Sequence, residues 1–358
     1  MLKILHLAPQ NYAGVPYDFF KMHLSSGDQS RLITFHKNQL DFPEDVCLNF
    51  PLLNFSLAKL WRRNKVAIRE NEIIMQAPEF KPKNLLEKYY FDLNDQFKKK
   101  KVFDAVRKYN LDEYQIIHYD AGLDFFRDAS LAKKWKREGK KIVCCYYGSD
   151  LRIRGVIKEL DNISDLNITS EYDHLGLKKD LQYLFYPYNP SELPKKKNND
   201  DREITIVHSP TNRKFKGTDL IISVIDRVKK ERKINFILLE NMARGKLLEI
   251  KSSCDISIDQ VGGTMGGTGY GKAGLETLAM GIPTITNMRQ DYAEWLPENP
   301  FVVANNADEL YTKLNALIDD KNYRDSLGIT GINWVKKYHG YESVNEKLKE
   351  LYKLKNII

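Results

Sequence analysis

The chain is short of cysteine and of long apolar runs and has no D-x-D triplet, and each absence removes a class of protein. Its four cysteines, Cys47, Cys144, Cys145 and Cys254, fall into neither C-x-x-C nor Cys/His spacing, which argues against a zinc module and a disulfide scaffold and points to a reduced, intracellular setting. Cys144 and Cys145 stand side by side in an apolar run and read as strand residues, not as a redox pair. No apolar stretch approaches the roughly 20 residues of a membrane-spanning helix. The N-terminus, MLKILHLAP, lacks the apolar region of an export signal. No D-x-D triplet offers a divalent cation its usual acidic pair. Charge of one sign is modest too: the net +8 over 358 residues is spread along the chain. That excludes a nucleic-acid-binding face and suits anionic substrates or an anionic membrane surface.

What is present is organised around Asp255–Ile285. Ile256 and Ile258 alternate as in a short strand, and seven glycines then fall from Gly262 to Gly274. Ala273, Leu275, Leu278 and Ala279 follow at helical spacing, and Gly281-Ile282-Pro283 ends that helix. Strand, glycine-rich loop, helix and next strand (Pro283–Asn287) follow in order. Such a loop brings backbone N–H groups close to a ligand, and the helix N-terminus behind it favours negative charge, phosphate above all.

The same rhythm runs through most of the chain. Strands are expected at residues 3–8, 31–36, 114–118, 141–147, 166–170 and 184–188, with helices over 17–24 and 123–139. After Pro187–Pro190 and the polar run Lys195–Asp201, a second set begins at Glu203: strands at 204–209, 235–240, 255–259, 283–287 and 301–304, and an apolar-striped helix over 219–231. Asn306 with Glu309 spells a capping box, and helices near 323–338 and 343–355 close the chain. The pattern predicts an α/β protein of two Rossmann-like, doubly wound domains facing a central cleft: an N-terminal domain over 1–189, a linker over 190–202, a C-terminal domain over 203–340, and a last helix over 341–358 crossing back to the first domain. The first loop, Pro9–Pro16, contains Gly14 but no G-x-G-x-x-G, so it does not match the dinucleotide fingerprint. Residues 54–69 interleave Phe55, Leu57, Leu60, Trp61 and Ile68 with Lys59, Arg62, Arg63, Lys65 and Arg69. This basic amphipathic segment suits either a membrane surface or, more simply, a helix whose apolar stripe joins the core. Lys98–Lys101 reads as a solvated helix face.

After the first strand of the second domain comes HSPTNRKFKGTD, which sets Arg213, Lys214 and Lys216 at the sheet's ligand-binding edge. Fixed cations there suit a departing diphosphate without a metal, with Lys214 expected to be solvent-exposed. This segment, TGYGKAGLETLAMGIPTI and YYGSDLR at Tyr146–Arg152 together resemble the GT-B glycosyltransferases, in particular the large retaining group with an E-x7-E signature. The resemblance spans nearly the whole chain. It implies a UDP- or GDP-linked sugar donor on the second domain, and a glycan or lipid-linked acceptor on the first. It also implies retention, no cofactor, no bound metal and no nucleic-acid partner, in surface polysaccharide or glycoconjugate synthesis at the cytoplasmic face of the cell membrane.

Residue by residue, Arg213 and Lys216 match the family's pyrophosphate-binding pair, and Glu276 matches the second signature acid, which holds the ribose. The first acid falls on Thr268, a departure from the pattern: a hydroxyl cannot supply a carboxylate's charge. Gly269, Tyr270 and Gly271 match positions whose backbone faces sugar and phosphate, and Gly267 and Lys272 flank them in the donor set. Gly14 lies in the loop that approaches the donor phosphates. His118 and Asp120 sit where relatives carry H-x-H beside the transferred sugar, so they are expected to orient sugar or acceptor hydroxyls, with a structural strand-end His118 as the alternative. Ser149, Asp150 and Arg152 match an acceptor-side turn, the alternative being an ion pair of Asp150 with Arg152 or Arg154. A nucleotide-sugar 2-epimerase and an inactive nucleotide-sugar-binding protein are the rival readings.

Overall fold

The computed structural model describes residues 1–38, 42–50, 76–82, 84–197, 203–262 and 269–358. The basic segment at 54–69, Gly267 and Thr268 lie outside them. The chain divides into two units, Met1–Pro187 with Tyr341–Ile358, and Tyr188–Gly340.

In the first unit, strands β1 (Lys3–Ala8), β2 (Gln29–Thr34), β3 (Val46–Cys47), β4 (Ile116–Asp120), β5 (Lys141–Tyr146), β6 (Leu166–Thr169) and β7 (Leu181–Tyr183) form one sheet in the order β3-β2-β1-β4-β5-β6-β7. Every pairing is parallel, with His6 of β1 in register with His118 of β4. Near-continuous apolar strands fit this, because both faces are covered. Leu5, Leu7, Ile117, Ile142 and Cys144 pack beneath helices α2 (Leu85–Lys108) and α3 (Ser130–Arg137). Ile4, Ile116, Val143 and Cys145 pack on the other face beneath α1 (Val15–Ser25) and the C-terminal helix Tyr341–Leu354.

Two expectations need correction. The helix expected over 123–139 begins only at Ser130, because Ala121, Gly122 and Ala129 all take positive φ. The Asp124 carboxylate instead accepts hydrogen bonds from the N–H groups of Phe125 and Ala132 (2.7 and 3.2 Å). The last strand of this sheet lies at Leu181–Tyr183 rather than 184–188, ahead of the Pro187–Pro190 turn.

The second unit holds β8 (Ile204–His208), β9 (Ile234–Leu238), β10 (Ile256–Gln260), β11 (Thr284–Thr286) and β12 (Val302–Val303), all parallel, in the order β12-β11-β10-β8-β9. Its helices of eight residues or more are α4 (Thr218–Lys229), α5 (Arg244–Lys251), α6 (Lys272–Ala279), α7 (Ala307–Asp319) and α8 (Lys321–His339); the Tyr341–Leu354 helix of the first unit is α9. The expected cap on α7 is present: Asn306 Oδ1 accepts from Glu309 N–H at 2.9 Å, and Glu309 Oε2 accepts from Asn305 N–H at 2.8 Å. Strand order reverses between β1 and β4 in the first unit and between β8 and β10 in the second. Open α/β sheets bind ligands at the carboxyl ends of such strand pairs, which picks out the loops after these four strands.

Candidate functional site

The loop after β8 is anchored by His208. Its Nδ1 meets Ile258 O on β10 (2.8 Å) and its Nε2 meets Thr218 Oγ1 at the start of α4 (2.9 Å). Burial holds His208 below its usual pKa, so the neutral ring bridges an acceptor and a hydroxyl. Asn212 caps the one-turn helix Arg213–Lys216 by accepting from Phe215 N–H (3.1 Å). Gly217 at φ 64° then lets the chain turn into α4. This fold of the loop turns Lys216 inward and leaves Arg213 and Lys214 exposed.

Lys216 Nζ donates to Asp259 Oδ1 (2.7 Å) and Gln260 Oε1 (2.9 Å), both at the end of β10. The other Asp259 oxygen accepts from Gly271 N–H (2.9 Å), just ahead of α6. Burial alone would raise the Asp259 carboxyl, but Lys216 and that N–H outweigh it and hold it below the usual carboxylate range. Gln260 also donates to Gly269 O (2.6 Å). The glycines make room for this arrangement. A Cβ on Gly274 would come 3.1 Å from Asp259 Oδ2, one on Gly271 3.1 Å from Lys216 Nζ, and one on Gly269 2.3 Å from the Tyr292 ring. The Gly271 N–H behind the glycine loop, expected to face a phosphate, is therefore occupied by an internal carboxylate. Gly269, Gly271 and Gly274 also spell G-x-G-x-x-G. They follow the third strand of the unit, whereas the dinucleotide fingerprint follows the first.

Arg213 lies at the surface. Its Nε and Nη2 donate to Glu240 at 2.9 and 3.0 Å, and the pair raises the guanidinium and lowers the carboxyl. Tyr270 turns its ring into an aromatic group, stacked on Phe301 at 4.6 Å with its hydroxyl 2.9 Å from His339 Nε2. Lys272 Nζ lies 5.4 Å from the centre of the Tyr188 ring. Glu276 is buried, with Arg244 Nη2 2.7 Å from one oxygen and Lys251 Nζ 3.3 Å from the other. Both cations come from α5. Sequence reasoning missed Asp259, Gln260, Arg244 and Lys251. The signal for the first two was a polar pair ending an otherwise apolar strand.

In the first unit, Gly14 (φ 75°) caps α1 beside Asn11, whose Oδ1 accepts from Tyr17 N–H at 3.2 Å. His118 and Asp120 are both buried. Asp120 Oδ2 lies 3.3 Å from His6 Nδ1, and Oδ1 accepts from the Tyr147 hydroxyl. His118 Nε2 meets the Tyr352 hydroxyl of α9. His6, His23 and His118 form a ring cluster with centroids 4.5 to 5.9 Å apart. Burial, with His6 alongside, lowers His23 and His118 well below the usual histidine range, so both rings are neutral at pH 7. No group of His, Cys, Asp or Glu among the described residues is arranged to hold a metal ion.

Ser149 is exposed. Asp150 does not pair with Arg152 or Arg154: its carboxylate accepts from the N–H groups of Tyr147, Gly148 and Leu151 at 2.8–2.9 Å, so it fixes the backbone of the turn. Arg152 instead holds Asp173 (Nε, 2.6 Å) and Glu171, and Arg154 donates to the carbonyls of Ala121 and Gly155.

No protein-family model and no curated protein matches the chain. Solved structures do. The Anabaena protein HepE in complex with UDP-glucose is 12% identical, covering 98% of this chain and 99% of its own, with a TM-score of 0.58. The catalytic domain of starch synthase IV from Arabidopsis thaliana, bound to ADP and acarbose, is 10% identical over 99% of each chain at a TM-score of 0.61. A UDP-N-acetylglucosamine 2-epimerase is 10% identical, covering 100% of this chain and 98% of its own, at 0.52. Identities this low speak for fold alone, and on that footing the chain has the GT-B fold, built from two parallel α/β units.

Proposed function

We propose that this protein is a glycosyltransferase that moves a sugar from a UDP- or GDP-linked donor to a hydroxyl of a glycan or lipid-linked acceptor. Retention of anomeric configuration and operation without a metal are part of the proposal, as is a role in surface polysaccharide or glycoconjugate synthesis on the cytoplasmic side of the membrane. One observation carries it. At the switch point of the second sheet, Lys216 and the Gly271 N–H converge on a single anion, the Asp259 carboxylate, so the set of donors a diphosphate needs is already assembled.

In this reading the donor diphosphate takes Lys216 and the start of α6 in exchange for Asp259. Arg213 swings from Glu240 to add charge at the surface side. As the bond from the anomeric carbon to the diphosphate oxygen breaks, these cations and N–H groups stabilise the negative charge left on the nucleoside diphosphate. The acceptor oxygen then bonds to the anomeric carbon, and its proton passes to a leaving phosphate oxygen. Glu276, steadied by Arg244 and Lys251, is placed to accept from ribose hydroxyls. His118 and Asp120 lie in the packed core, so Asp120 acts on substrate only if Tyr147 gives way.

The likeness to a 2-epimerase supports a second reading, in which the same diphosphate site serves epimerisation of a nucleotide sugar. Thermal shift with UDP, GDP, ADP and their sugars, followed by NMR of the product, separates the two. Stabilisation by one diphospho-sugar, with a new glycosidic bond of unchanged anomeric configuration, supports transfer. A C2 epimer with no new bond supports the second reading. A well-folded protein that none of these ligands stabilises would falsify both.

A further inference from the structure

Helix α2 carries two apolar faces on opposite sides, and the other described residues cover only one. Its C-terminal half buries Val102, Ala105 and Val106 in the core. Phe91 turns inward too, 5.8 Å from Phe80 and with the Arg127 guanidinium 4.2 Å above its ring. The N-terminal half presents Leu85, Leu86, Tyr89, Tyr90, Leu93 and Phe97 to solvent, with Leu86 80% and Phe97 84% exposed. At 3.6 residues per turn these six side chains fall within an arc of about 140°, facing away from the buried set. They form one stripe.

The charges around the stripe identify its partner. Lys100 continues the same face one turn beyond Phe97, and Lys88 and Lys99 flank it; all three are exposed, while Lys101 turns aside over the Phe50 ring (5.4 Å). No acidic residue interrupts the arc between Leu85 and Phe97. Asp92 lies at its margin, and Asp95 turns inward to Lys98 (2.6 Å) and to Arg127 N–H (2.8 Å). An apolar band with two tyrosines and a lysine rim matches the boundary of an anionic bilayer, where leucine and phenylalanine enter the acyl region and ammonium groups meet lipid phosphates.

A second copy of the chain fits less well. A stable protein interface takes about 800 Å² and 20–30 residues from each partner, more than one 13-residue helix face provides. A parallel pairing would align the lysines with each other, and an antiparallel one would set them against the positive end of the partner helix. We propose that the outward face of α2 docks the protein on an anionic lipid surface. The inference is independent of the transferase reading.

Flotation of the full chain with vesicles tests it. Binding is expected to vesicles of phosphatidylglycerol and phosphatidylcholine, not to phosphatidylcholine alone, and to weaken with salt. Leu85→Ser/Leu86→Ser/Phe97→Ser is expected to abolish it with no loss of thermal stability, because these three side chains are 80–84% exposed. Lys99→Glu/Lys100→Glu is expected to lower partitioning by about thirtyfold or more. Three results overturn the proposal: no binding to anionic vesicles, binding that both variants retain, or a dimer in sedimentation equilibrium that the triple substitution dissociates.

Discussion

Lys216 reaches from the loop after β8 to Asp259 at the end of β10, 2.7 Å from nitrogen to oxygen, and the same carboxylate caps Gly271. The pair stabilises the free protein and competes with any diphosphate for the same donors. Asp259→Asn is expected to lower free-protein stability by about 2–3 kcal/mol, less than the loss for a fully buried pair because Lys216 still reaches solvent. It should also enlarge the thermal shift given by nucleoside diphosphates. Lys216→Met leaves a buried carboxylate without its cation and should abolish that shift. Combining the two substitutions restores stability without restoring ligand binding. A smaller ligand shift in Asp259→Asn than in the parent protein would count against the exchange.

Among the described residues Lys251 Nζ has one side-chain partner, Glu276, and Lys251 is 1% exposed. Glu276→Ala therefore does more than remove a ribose contact. It strands a buried ammonium group and should cost about 3 kcal/mol or more, visible as a fall in melting temperature without ligand. Glu276→Gln keeps an acceptor for Lys251 and is expected to separate the two effects, with a smaller loss of stability and a rise in KM for the donor. If Glu276→Ala melts with the parent, the ion triad contributes nothing to the fold.

The glycines of the loop are expected to rank by what stands opposite them. At Gly269 an added methyl meets the rigid Tyr292 ring at 2.3 Å, whereas at Gly274 it meets the Asp259 carboxylate at 3.1 Å. Gly269→Ala should destabilise by about 2 kcal/mol or more through overpacking. Gly274→Ala should cost less stability but displace Asp259, and so change nucleotide affinity. Urea denaturation beside a nucleotide titration checks both, and an unchanged affinity in Gly274→Ala would break the link.

Local rules were the most legible part of this sequence. The Asn306 cap formed as spelled, with Glu309 reaching the adjacent Asn305 N–H, and the alternating runs became strands within a few residues, because both depend on near neighbours. What the sequence hid lay in long-range pairing. Asp259 reads as a strand end until Lys216, 43 residues earlier, is seen beside it. His6 reads as an interruption in an apolar strand until the β1–β4 register sets it opposite His118. The late start of α3 traces to Ala121 and Ala129 at positive φ, a conformation no propensity assigns to alanine. The loop cations were identified as a group, but only burial distinguishes inward Lys216 from surface Arg213.

The histidine cluster predicts how stability changes with pH. His23 and His118 stay neutral in the folded state because burial and His6 lower them well below 6.5, while in the unfolded chain they titrate near 6.5. The unfolded state thus binds more protons below that value, and stability falls as pH drops, by about 1.4 kcal/mol per unit for each ring. His174, lowered by burial to about 4, adds to the fall down to that pH. Asp124, which burial raises to about 7, acts in the opposite sense: its native proton stabilises the fold between roughly pH 4 and 7 relative to an unfolded chain that ionises near 3.9. Three rings against one carboxyl give a net loss on acidification from pH 6.5 to 5. Both ring nitrogens of His23 are buried with no hydrogen-bond partner among the described residues, so His23→Leu should sacrifice no bond to them and flatten the acid limb by about one proton. Asp124→Asn should steepen the limb and raise stability at pH 8. Melting curves from pH 5 to 8 measure both slopes, and a His23→Leu curve running parallel to the parent would show that His23 does not carry the acid sensitivity.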